Sequence, residues 1–96
     1  MLKHNSYFDG NVQSIGFSLE GNGQTVGVIA AGRYHFATGA PERMTIVSGR
    51  AEVELDGHND TLTVAAGSAF EVPGNSGFTI TVASDAAAYL CEFLPG

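Results

Sequence analysis

Tryptophan is missing from this chain, cysteine occurs once, and four basic residues stand against ten carboxylates in 96 positions. A formal charge of −6 gives no basic footprint with which to neutralise a phosphate backbone, so DNA and RNA are excluded as expected partners. A lone Cys91 cannot close an internal disulfide, and its neighbours in "AYLCEFL" read as a buried small hydrophobe with no sequence-adjacent cation to favour the thiolate. No apolar run approaches the roughly 18 residues of a membrane span. The opening "MLKHNSYFDG" has no apolar targeting core, so a cytoplasmic protein without membrane contact is the expectation. A convincing helical period is also lacking, and this absence decides the fold class.

What is present is period-two alternation. In "RAEVELDG", Ala51, Val53 and Leu55 alternate with Glu52, Glu54 and Asp56, which places one face on a core and the other in water. After the turn signal "DGHND", Leu62 and Val64 share a face, as in the return strand of a hairpin. Phe78, Ile80 and Val82 repeat the pattern, as do Tyr89, Cys91 and Phe93 against Leu90, Glu92 and Leu94. Thirteen glycines punctuate these runs at intervals suited to turns. Nine to ten short antiparallel strands are expected, folded as a sandwich, jelly roll or small barrel whose closure protects the sheet edges. The length suits one domain over 1–96, of modest stability, to which a subunit interface would contribute.

Two segments resemble the cupin family, whose jelly-roll barrels carry motifs of the form G-x5-H-x-H-x3/4-E-x6-G and G-x5-P-x-G-x2-H-x3-N. In "HFATGAPERMTIVSG", Glu42 and Gly49 fit E-x6-G and His35 takes the first histidine position, but Ala37 takes the second. In "GSAFEVPGNSGF", Gly67 and Pro73 fit G-x5-P, Gly74 comes one residue early, Phe78 stands for the third histidine and Val82 for the asparagine. A transition-metal site needs about three protein ligands. Only His35 and Glu42 remain of the four, so no metal cofactor is expected. With "NSYFDGNVQSIGF" and "YLCEF" added, the whole chain resembles the bacterial pyrimidine/purine nucleoside phosphorylases, small single-cupin proteins. The resemblance implies an all-β, single-domain cupin, an antiparallel jelly-roll barrel, and phosphorolysis of purine and pyrimidine nucleosides with inorganic phosphate as co-substrate. A homodimer of such barrels is expected.

That chemistry needs groups to orient phosphate, hold the sugar and support the departing base. Cupin parity places Glu42, Met44, Ile46 and Ser48 on the barrel side and His35, Ala37 and Phe78 near the mouth. Glu42 is the catalytic candidate, as a carboxylate beside an oxocarbenium-like centre or on ribose hydroxyls; the competing reading pairs it with Arg43. Tyr34 and Phe78 are candidates for base stacking, which tolerates every base, while Phe78 also reads as core. Arg33 and Arg43 are candidate phosphate contacts, and "PGNSG" with Ser76 reads either as an anion cradle or as a plain turn. Thr38 and Thr45 add hydroxyls, Met44 an apolar wall, and His35 a proton carrier near neutral pH or an exposed histidine. Two other functions stay open: a non-catalytic nucleoside- or sugar-binding cupin, and a metal-dependent cupin oxygenase or isomerase using His35 and Glu42.

Overall fold

A computed structural model describes residues 2–95; Met1 and Gly96, the ends of the expected 1–96 domain, lie outside the described residues. Eight strands follow one another: β1 (Lys3–Tyr7), β2 (Val12–Leu19), β3 (Asn22–Ala37), β4 (Glu42–Ser48), β5 (Arg50–Leu55), β6 (Leu62–Ala65), β7 (Ala69–Val72) and β8 (Gly77–Phe93). A single 3-10 turn, Phe8–Gly10, sits between the first two. None of the described helices is long and apolar enough to cross a membrane.

All pairings are antiparallel, and two long strands organise them. The first half of β3 and the second half of β8 pair with each other between β2 and β4. Their other halves pair again, with β5 on the far side of β8. The bend between the two halves lies where Ala30 pairs with Ala86 and Gly32 with Val82, leaving Ala83–Asp85 without partners in the ladder. Gly32 takes φ +148 there, and a Cβ on it would lie 2.6 Å from the Tyr34 hydroxyl. Tyr34 uses that hydroxyl to donate to the carbonyls of Ala30 and Ala31 at 3.0 and 3.1 Å, pinning the bulge from inside.

These through-running strands explain why eight strands are found where nine to ten were expected: both bends stay within a ladder and do not end it. The antiparallel cupin layout is as expected, but the barrel does not close, since β1, β6 and β7 each have a single paired neighbour. The expected inner faces hold for Ala51, Val53, Phe78, Ile80, Val82, Tyr89 and Cys91, all buried. Ser48 departs from its expected place: a register shift between Ile46 and Ser48 breaks the alternation, and Ser48 is exposed.

Candidate functional site

Between the two halves of the fold lies a cavity of about 260 Å³. Its apolar wall is built from Ile29, Phe36, Ala37, Met44 and Phe78, and Tyr7 and Phe93, 45% and 40% exposed, stand at the rim. Phe36 stacks on Phe78 with centroids 5.6 Å apart, and Tyr7 meets Phe36 edge-on at 6.3 Å. The polar wall consists of Ser14, Thr25, Glu42, Tyr89 and Cys91. Glu42 is the one charged residue among the described lining residues.

Register explains how that polar wall forms. Ser14 of β2 pairs with Gly27 of β3, which pairs with Tyr89 of β8. Gly27 has no side chain, so the Tyr89 ring lies across it: a Cβ there would be 2.6 Å from the ring and its hydroxyl. The phenol thereby lies over Gly27, on the side of its β2 partner Ser14. One row further on, Thr25 pairs with Cys91 and Cys91 with Met44. In the next row Glu42 pairs with Phe93, and the Cys91 thiol donates to Glu42 Oε1 at 3.4 Å.

Burial sets the proton affinities. Half-burial raises the Glu42 pKa above the ordinary carboxylate value, an effect the Cys91 hydrogen bond opposes because it favours the charged form. Burial, together with the neighbouring Glu42 charge, pushes the Cys91 thiol well above its ordinary range, so it acts as a neutral donor. Burial also raises the Tyr89 phenol, with the Ser14 hydroxyl acting in the opposite sense.

Of the eight residues singled out from sequence, Glu42, Met44 and Phe78 line the cavity and five do not. Tyr34 is the bulge clamp already described. His35 points to the outer face and is bound through Nε2 to the Asp56 carboxylate at 2.9 Å. Arg43 follows Glu42 on the same strand and so faces outward, where it pairs with Glu71 at 2.7 Å; Arg33 pairs with Glu54. Thr38 donates to the Pro73 carbonyl at 2.7 Å and accepts the Ser76 amide at 3.0 Å. With the Asn75 amide bonded to the Gly39 carbonyl, "PGNSG" has two of its amides engaged in holding loops together. Ser76 and Arg43 thus lie off the cavity, each with a partner of its own. Ser14, Thr25, Tyr89 and Cys91 join the site although the sequence pattern alone does not single them out for it. The available signal was a polar side chain at inward parity among small neighbours, in "VQSIG" and "QTVGV".

The fold family's metal position does not fit this donor set. His35 and Glu42 lie on opposite faces of the sheet, Phe78 is buried against Phe36 and Phe70, and no group of three or more His, Cys, Asp or Glu among the described residues is placed to hold an ion.

A family model described as pyrimidine/purine nucleoside phosphorylase matches residues 2–93. The chain belongs to this family. It is 56% identical over 94 residues to a pyrimidine/purine nucleoside phosphorylase of Sorangium cellulosum, covering 98% of this chain and 100% of that one. A relative of the same name from Vibrio cholerae is also 56% identical, over 95 residues and 99% of each chain. Among solved structures, a protein of unknown function from Vibrio parahaemolyticus superposes with a TM-score of 0.94 at 49% identity, covering 98% of this chain and 99% of that one.

Proposed function

We propose that this chain is a nucleoside phosphorylase of broad base specificity, converting purine and pyrimidine nucleosides and inorganic phosphate to free base and pentose 1-phosphate in the cavity around Glu42. Family membership supplies the reaction class. The observation that supports this location is a half-buried carboxylate, the one charged group among the described lining residues. A phosphate oxygen bonds to C1′ as the C1′–N bond breaks, the bonding pair leaves with the base, and the proton of hydrogen phosphate ends on that base. Positive charge grows on the ribose in the transition state, and Glu42 stabilises it or holds the ribose hydroxyls. The base lies against Phe36, Phe78 and the rim aromatics. Among the described lining residues there is no Asn or Gln to read a base edge, which suits both base classes.

The donor set calls for no metal. Chelator-treated protein, incubated with adenosine, guanosine and uridine, is expected to release base only when phosphate is added. Release by neither class of nucleoside would overturn the proposal and leave a binding cupin as the reading. Loss of activity on chelation, restored by metal, would favour the metal-dependent alternative.

Cys91→Ser replaces a weak donor with a stronger one and favours the charged form of Glu42. The acid limb of the kcat/KM profile is expected to move to lower pH. An unmoved or raised limb would remove the Glu42–Cys91 contact from the account.

The reading also includes a homodimer at work in the cytoplasm. Ile15, Val26 and Val28, on the outer face of β2 and β3, are 38%, 47% and 50% exposed, with Ile15 and Val26 in direct register. Leu90 extends the row onto β8. Such an apolar face fits a self-complementary interface. Light scattering is expected to give twice the chain mass, and a monomer at all concentrations would contradict it.

A further inference from the structure

Among the described lining residues phosphate has no cation to meet in this cavity. Arg33 and Arg43 are held in ion pairs on the outer face, and Arg50 borders a separate hollow with Ser84 and Asp85. Glu42 repels an anion on its own end of the wall. Among the described lining residues the remaining polar groups are the Cys91 thiol, the Tyr7 phenol at the rim and the hydroxyls of Ser14, Thr25 and Tyr89 deeper along the wall.

We infer that these three hydroxyls form the phosphate subsite, a neutral donor cluster one to two rows along the sheet from the carboxylate that attends the ribose. The inference rests on the phosphorylase reading above. Along the backbone, at about 3.4 Å per residue, the Thr25–Cys91 row lies roughly 7 Å from the Glu42–Phe93 row and the Ser14–Gly27–Tyr89 row roughly 13 Å away, while the Glu42 carboxylate itself leans to within 3.4 Å of the Cys91 thiol. The pentose would lie over the Cys91 row, with its hydroxyls toward Glu42 and C1′ open to an oxygen nucleophile from the hydroxyl side. Cys91, neutral and between the two, separates the carboxylate from the anion.

Chemistry supports hydroxyls in this role. Each one donates and accepts, so the cluster can both bind phosphate oxygens and accept a hydrogen bond from the O–H of hydrogen phosphate until that proton passes to the base, which an ammonium or guanidinium cannot do. Hydrogen bonds from neutral donors to a charged acceptor are stronger than neutral pairs, and three convergent ones offset part of the desolvation of the anion. Convergence depends on Gly27, across which the Tyr89 ring reaches the Ser14 side. Tyr34 shows the contrast, since its hydroxyl is committed to backbone carbonyls and lies off the cavity wall.

Tyr89→Phe and Ser14→Ala each remove one oxygen and are the variants of choice. For each, the KM for inorganic phosphate is expected to rise about 10- to 100-fold, as for a lost hydrogen bond to a charged group, with the nucleoside KM changed by less than about threefold. A rise in the nucleoside KM with phosphate unaffected would place the sugar at the hydroxyls and overturn the assignment, as would no change in either. Calorimetric titration with inorganic phosphate separates this inference from the reaction itself. Wild-type binding that weakens in both folded variants supports the subsite even if no nucleoside turns over. Equal binding in all three, or none in wild type, overturns it.

Discussion

Glu42→Gln is expected to lower kcat by about 10²–10³-fold, the range for removing one preorganised electrostatic contact with the transition state, while leaving the protein folded and at least as stable at neutral pH. Both halves follow from one position. Glu42 is half-buried in a wall of Met44, Phe78 and Cys91, and the desolvated carboxylate has its pKa raised in the fold. A carboxyl whose folded pKa exceeds its unfolded value binds its proton more tightly when folded. Its contribution therefore favours the fold at pH below the unfolded value and fades as pH rises through the folded one. At neutral pH the charged side chain is the less stable choice, and the isosteric amide removes that penalty. Kinetics paired with thermal melts at neutral pH check the expectation. Wild-type turnover in a folded variant would take Glu42 out of the mechanism, and a large loss of Tm would mean that the carboxylate holds the fold together.

Gly27→Ala is expected to fail in the opposite way, losing stability and phosphate affinity together. The added Cβ would sit 2.6 Å from three atoms of the Tyr89 side chain, and Tyr89 is 7% exposed, hemmed in by the core. Overpacking of this kind costs about 1–3 kcal/mol, or roughly 5–20 °C in Tm for a domain of this size. Any relief comes from swinging the ring off β3, which carries its hydroxyl away from Ser14 and raises the phosphate KM. A calorimetric melt combined with phosphate titration kinetics tests both parts. An unchanged Tm would show that the ring moves freely, and an unchanged phosphate KM in a destabilised variant would show that its position does not matter to the anion.

Local alternation carried much of this fold. Ala51 and Val53, Phe78 to Val82, and Tyr89 with Cys91 all face inward because a strand half-buried on one side leaves a period-two record in sequence. Strand count and the Ser48 position were not legible for the complementary reason: bulges at Gly32 and after Ile46 shift the register without a turn signature. At the site, Glu42 and Arg43 show what neighbouring positions can conceal. Both are charged and adjacent, yet one enters the cavity and the other pairs with Glu71 outside. Thr38, Ser76 and His35 are occupied by partners distant in sequence, Pro73 and Asp56 among them, and nothing local records such contacts. The hydroxyl row was hidden more deeply. It exists because Ser14, Gly27 and Tyr89 come into one register across three strands, which no single window of sequence contains.

The most direct measurement is phosphorus NMR of uridine with inorganic phosphate, run on chelator-treated wild type and on Glu42→Gln at equal folded concentration. The expected result is a new sugar-phosphate resonance that grows one-for-one with free uracil in wild type and at least about 100-fold more slowly in the variant. Uracil formed without the ester, or equal rates from the two proteins, would contradict phosphorolysis at the Glu42 cavity.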